Sequence, residues 1–410
     1  MPAVTVLRAP RLVDGTGAPA VEHAAVVIAD GAIVAAGPAS AVDVPAGAGV
    51  ETHDFPGCTL LPGLIDSHVH LLFSASDQAL DDAIHDSDET LLLRGLANAQ
   101  AELRCGVTTL RDCGGRGLLT LSLRDSIDRG LVTGPRILAS AMPVTTTGGH
   151  LYFCGLEADG VLEVTKATRR LCKAGVDFIK VMATGGGMTP GTNPRAPQYT
   201  VEELSAIVAE ARRLGRHVAA HCHATAGIAN AVEAGITTVE HCTWLDATEG
   251  HDFDPRLVER MAEKGTYVTL TMGSERAAIK SPDQLVEWQH RGAASYGPHF
   301  DRLRRTIRGG VRFIAASDAG VSRTFFGEYP LTLEVMVSCL DVPPMEALVA
   351  TTGRAAEAIG VADKVGTLTP GRRGDVLVVG GDPLADIRAL RDTRAVFRDG
   401  RIVVQDGKLV

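Results

Sequence analysis

A HisValHis triplet at 68–70, a lysine at 180, histidines at 221 and 241 and an aspartate at 318 are the residues of this chain best suited to metal chemistry. Imidazole and carboxylate are common donors to divalent ions. The lysine is the odd member. It interrupts the apolar run ValAspPheIleLysValMet (176–182), and three glycines follow at 185–187. Desolvating an unpaired ammonium costs far more than a strand position returns. Lys180 is therefore chemically altered, paired with an acid, or set where a site opens. A carbamate formed with CO2 would make it a carboxylate-like bridge, suited to two divalent cations about 3.5–4 Å apart. A salt bridge to a strand-end carboxylate is the other account.

The elements that must position these residues follow from the hydrophobic pattern. Between about 58 and 357, short apolar strands alternate with helical stretches, which is the pattern of βα units around a parallel sheet. The strands are expected near 60–68, 107–112, 136–140, 178–182, 217–221, 237–241, 267–271 and 312–318. Thr200 and Glu203 have the spacing of a capping box at the head of one intervening helix. Eight such units have the size of a (β/α)8 TIM barrel, whose reactive end is the rim where the strands terminate. Five of the eight strands carry or end in the residues named above. Side chains alternate along a strand, so His68 and His70 face the same way.

The two ends of the chain read differently. AspGly at 30–31 and AspGly at 399–400 each sit between apolar strands, the signature of a tight hairpin. Residues 1–57 and 358–410 are expected to form one small composite β domain, a β-sandwich built from both termini, with the barrel at 58–357.

LeuProGlyLeuIleAspSerHisValHis, AspPheIleLysValMetAlaThrGlyGly, HisValAlaAlaHisCysHis, ThrValGluHis and AlaSerAspAla together resemble the amidohydrolase superfamily. Within it, they are most similar to the imidazolonepropionase-like and prolidase-like metal-dependent hydrolases. The resemblance extends to GlyThrLeuThrProGlyArgArgGlyAspValLeuVal at 366–378. It implies that His68, His70 and Asp318 bind a buried metal and that His221 and His241 bind an exposed one. An N6-carboxylated Lys180 would bridge the two, with zinc as the expected ion and iron or manganese as alternatives. It also implies cleavage of an amide-type C–N bond, in a dipeptide, an N-acyl amino acid or a cyclic amide, by a metal-bridging hydroxide, with Asp318 carrying its proton to the leaving amine. A deaminase or a carbamate/urea hydrolase of the same superfamily is the alternative; deaminases there usually lack the bridging lysine. A non-catalytic scaffold would not need six filled ligand positions. Many relatives assemble, so a homo-oligomer is expected.

Other residues are expected at the site. His150 follows two glycines in the loop after the third strand and is a candidate for substrate contact and catalysis. His223 shares a strand face with His221. Arg195 is a cation in the loop after Lys180 that would suit a substrate carboxylate. Cys222 and Cys242 each follow a ligand histidine and read as core. The ThrGlyGlyGlyMetThrProGly loop (184–191) lacks the GlyLysSer/Thr ending of a phosphate-binding loop and is read as a mobile loop facing the substrate.

Composition narrows the function classes. A net charge of −9 without a basic block argues against a nucleic-acid partner and leaves a small-molecule substrate. No stretch reaches bilayer-spanning length. Eight cysteines without a CxxC, behind an opening that lacks a signal-peptide pattern, predict a reduced protein of the cytoplasm.

Overall fold

The computed structural model describes residues 4–43, 49–248, 250–273 and 297–410. Eight parallel strands form a TIM-barrel-like ring: Leu64–Val69, Val107–Asp112, Arg136–Ala139, Ile179–Met182, Val218–Ala224, Thr238–Leu245, Tyr267–Thr271 and Phe313–Ala316. Ladders join the first three and the last five. The third and fourth are tied at Asp177, whose N–H donates to the Ala139 carbonyl and whose carboxylate accepts from the Ala139 N–H. The ring closes where Asp318 N–H donates to the His68 carbonyl at 2.8 Å and His70 N–H to the Ala319 carbonyl at 2.8 Å. Barrel closure and two of the expected metal ligands thus share one seam.

Helices cover the outside by burying one stripe each. In Gly160–Ala174 the buried residues are Val164, Ala167, Thr168 and Leu171, the i, i+3, i+4, i+7 spacing of an amphipathic helix. The expected capping box opens Val201–Arg213, with Thr200 and Glu203 each satisfying the other's backbone N–H. No helix among the described residues is long and apolar enough to cross a membrane.

Both chain ends enter one nine-stranded sheet, with Cys58–Pro62 pairing antiparallel to Val376–Gly380 at its centre. The expected hairpins are present. Asp30 and Gly31 have φ of 50° and 78°, and Asp399 and Gly400 have 52° and 74°, the left-handed pair that a two-residue turn requires. Where a sandwich of two layers was expected, the strands form one hydrogen-bonded sheet that is continuous through Val4–Leu12. That strand pairs with Val50–Asp54 along its first half and with Cys58–Pro62 at its end. Leu7, Leu12, Val26, Ile28, Leu60, Val378 and Phe397 form the apolar core on this sheet.

The strand expected near 60–68 is two strands. Cys58–Pro62 belongs to the terminal sheet and Leu64–Val69 to the barrel, with Gly63 between them. A Cβ at Gly63 would collide with the Thr108 side chain on the neighbouring barrel strand. Gly63→Ala is therefore expected to lower the unfolding free energy by about 1–3 kcal/mol through overpacking, measured by urea denaturation; an unchanged midpoint would show that Thr108 yields freely.

Candidate metal centre

The rim of the barrel gathers the six residues. His68 is the last residue but one of the first strand and His70 lies just past its end, their rings 5.3 Å apart. His68 Nε2 and His70 Nε2 each lie 3.5 Å from Asp318 Oδ1. On the fifth and sixth strands, His221 Nδ1 and His241 Nε2 are 3.0 Å apart. Two donors about 2.0 Å from one zinc at a tetrahedral angle stand about 3.3 Å from each other. These distances lie near that value, and His68, His70 and Asp318, like His221, His223 and His241, form groups that could hold a metal ion. Lys180 lies between the sets on the fourth strand, fully buried, with Nζ 3.4 Å from His68 Nε2. No carboxylate among the described residues comes within 4.0 Å of Nζ, and the expected salt-bridge alternative is not formed.

Each histidine's second nitrogen is committed elsewhere. His68 Nδ1 meets Glu240 Oε2 at 2.7 Å, His70 Nδ1 the Gly114 carbonyl at 2.8 Å, His221 Nε2 the Gly185 carbonyl at 3.1 Å, and His241 Nδ1 the Thr271 hydroxyl at 2.8 Å. Carbonyl and carboxylate oxygens only accept, so three of the four rings must donate on that side. Their inward nitrogens then keep a lone pair, the form that binds metal. Burial is the main reason the rings stay neutral. It holds His68, His221 and His241 well below the usual imidazole range and brings His70 to about 4, with the Lys180 charge adding to the shift in each.

Backbone strain aims two of the donors. His241 and Asp318 have φ of 69° and 61°, in the left-handed region that non-glycine residues avoid. On a regular strand, neighbours such as Glu240 and His241 face opposite sides. The twist at His241 brings its ring to the rim while Glu240 stays inside the barrel.

The remaining expected residues are divided. His150 and His223 line a cavity of about 340 Å3 over the metal donors, together with Leu151, Met182, Met188, Met272, Val321 and Ser322. The His150 ring lies 4.5 Å from that of His221, in a space that a side chain on Gly186 would fill. His223 Nδ1 is held by the Thr243 hydroxyl at 2.9 Å. Arg195 is turned away. Its guanidinium donates to the Gly250 carbonyl at 2.7 Å and reaches Asp246 at 3.3 Å, so its fork is engaged by a loop, not by the cavity. Cys222 and Cys242 are buried in the barrel's apolar core, as expected. Sequence reasoning missed Glu240, Arg111 and His299. Glu240 carried the same signal as Lys180, an ionisable residue in an apolar strand. His299 lines the cavity from the helix Gly297–Arg308 and had no local signal.

The sequence matches the family model described as "Amidohydrolase family" over residues 59–403. The chain belongs to the amidohydrolase family. Membership makes it a hydrolase acting on carbon–nitrogen bonds and fits the metal-donor geometry of the rim. Over 96% of its length it is 31% identical to an ochratoxinase of Aspergillus niger, covering 84% of that protein. It is 26% identical to an imidazolonepropionase of Symbiobacterium thermophilum, covering 93% of this chain and 90% of that one. A crystal structure of a Xaa-Pro dipeptidase with bound methionine in the active site superposes with a TM-score of 0.84 at 29% identity, covering 98% of this chain and 99% of that one.

The buried imidazoles carry a pH signature. His70 and His223 are held near 4 and His150 near 3, below the ordinary 6.5 that they regain on unfolding. The stability this contributes is complete above pH 6.5 and is lost as the pH falls towards 4. Chelator-treated protein is expected to lose about 1.4 kcal/mol of unfolding free energy per pH unit for each such histidine over that window. Urea denaturation at successive pH values measures the slope; a flat profile would mean that these rings are not held neutral.

Proposed function

We propose that this amidohydrolase is a binuclear metal enzyme that cleaves the amide-type C–N bond of a dipeptide, an N-acyl amino acid or a cyclic amide. The observation that carries the reading is the inward convergence of four imidazole nitrogens and a carboxylate, with each ring's other nitrogen already occupied. His68, His70 and Asp318 would hold one ion, and His221 and His241 the other. Lys180 would join them as an N6-carbamate. A buried lysine without an acid partner among the described residues supports that modification, because the carbamate replaces an uncompensated cation by an anionic ligand. The same lysine argues against the deaminase alternative. Zinc is the proposed ion.

Two divalent ions, when bound, acidify water and polarise a scissile carbonyl. The chain's own groups supply the rest. Asp318, at the seam between the donor sets, would carry a proton from the attacking water to the leaving amine. His150 Nδ1 is buried without a hydrogen-bond partner among the described residues, which suits an imidazole kept for the substrate. Leu151, Met182, Met188, Met272 and Val321 give the cavity an apolar wall. That wall favours an apolar side chain beside the scissile bond, consistent with the methionine seated in the dipeptidase structure. The boundary expected at 57/58 moves to Gly63: the terminal strands, Cys58–Pro62 included, would form one domain and the barrel from Leu64 the catalytic one, in a cytoplasmic homo-oligomer.

Zinc-loaded protein is expected to hydrolyse dipeptides or N-acyl amino acids with apolar side chains, and chelation should abolish the activity. Lys180→Ala should lose about a thousandfold in kcat/KM, near 4 kcal/mol of transition-state stabilisation, with partial recovery on adding acetate or propionate. Full activity in Lys180→Ala would sink the bridge, and a preparation that takes up no divalent ion after growth with zinc would sink the hydrolase reading.

A further inference from the structure

Beneath His68 lies a charged floor that the metal donors do not account for. Glu240 is fully buried, and its Oε1 accepts from Arg111 Nη2 at 2.8 Å and from the Thr238 hydroxyl at 2.5 Å. Arg111 Nη1 donates to Thr238 Oγ1 at 3.0 Å, so the Thr238 proton is committed to Glu240. Arg111 Nε also donates to the Ser67 carbonyl at 2.5 Å, and its guanidinium sits over the Phe178 ring at 5.3 Å. With Oε1 taken by two donors, Oε2 faces His68 Nδ1.

We propose that Glu240, clamped by Arg111 and Thr238, is a positioning residue that fixes the tautomer of His68 and thereby sets the cation affinity of the His68–His70–Asp318 site. The inference rests on the metal-hydrolase reading above. A carboxylate can only accept, and a guanidinium can only donate. The chain of contacts therefore has one consistent proton arrangement: Arg111 and Thr238 donate to Glu240, and His68 donates to it from Nδ1. The lone pair is left on Nε2, the atom that faces Lys180 and Asp318. Partners of this kind also raise the basicity of a ligating imidazole.

Glu240→Gln tests the arrangement because an amide of the same shape must point its carbonyl at Arg111, which has no acceptor to offer. The amide NH2 then faces His68 Nδ1, draws the lone pair to that side and leaves the proton on Nε2. Cobalt(II) titration of the full chain, followed by the visible absorption of the bound ion and by metal analysis, reads the result. One of two cobalt equivalents is expected to weaken by roughly 10- to 100-fold, with the other unchanged. Equal weakening of both equivalents, or none, overturns the proposal, since a general structural role would not single out one site. Thr238→Val removes one donor to Oε1 while keeping the shape of the side chain, and is expected to weaken the same equivalent severalfold. It carries the test if Glu240→Gln does not fold; unaltered cobalt binding in folded Thr238→Val then overturns the proposal. A wild-type chain that binds two cobalt ions but cleaves no amide removes the hydrolase reading and leaves this inference to the titration. A wild-type chain that binds none overturns both.

Discussion

An imidazole has two nitrogens, and in His68, His70, His221 and His241 the ring is buried and both need partners. If one is to face a cation, the other must donate to something fixed. That requirement shapes the whole upper end of this molecule. Gly114 and Gly185 bring backbone carbonyls to His70 and His221 from the loops after the second and fourth strands, Thr271 reaches His241 from the seventh, and Glu240 reaches His68 from inside the barrel. The residues that face inward at the rim come from five strands, and their partners draw in two more elements of the ring. A shift of any one strand would leave a buried nitrogen unsatisfied, at a cost of about 1–3 kcal/mol.

The seam between the first and eighth strands carries the same constraint into the backbone. The hydrogen bonds that close the barrel come from the residues that hold Asp318 and His70 in place. Asp66 adds to the seam, accepting from Ser317 N–H at 3.0 Å and from the Ser317 hydroxyl at 2.5 Å. Left-handed backbone at His241 and Asp318 costs of order 1–3 kcal/mol each. Such strain persists only where the surroundings over-determine it, and here closure of the ring and the rim contacts do so together.

Much of this could be read from residue types. Lys180 stood out because a charge in an apolar strand needs a reason, and the histidines stood out because they recur at strand ends. Glu240 obeys the same logic, yet it adjoins His241; strand alternation sends neighbours to opposite faces, and only the backbone twist at His241 lets both matter to the site. Arg195 illustrates the opposite failure. A cation in an active-site loop invites a substrate, yet the Gly250 carbonyl and Asp246 engage it, and those groups lie more than fifty residues on in the chain. The split at Gly63 is marked in the sequence by ProGly at 62–63, a turn signal, but the apolar residues on either side say only that they are buried and not in which sheet.

What the sequence determined by itself is periodic or compositional: eight βα units, two AspGly hairpins, the capping box at Thr200, and the donor types at the strand ends. These are local properties, encoded in spacing over a few residues. What only the tertiary structure decided is pairing: which nitrogen of each histidine turns inward, which oxygen of Glu240 meets His68, and that Lys180 meets an imidazole and not an acid. Those outcomes depend on contacts between residues separated by tens to hundreds of positions. Their geometry is set by ring closure and by the need to satisfy every buried polar group at once.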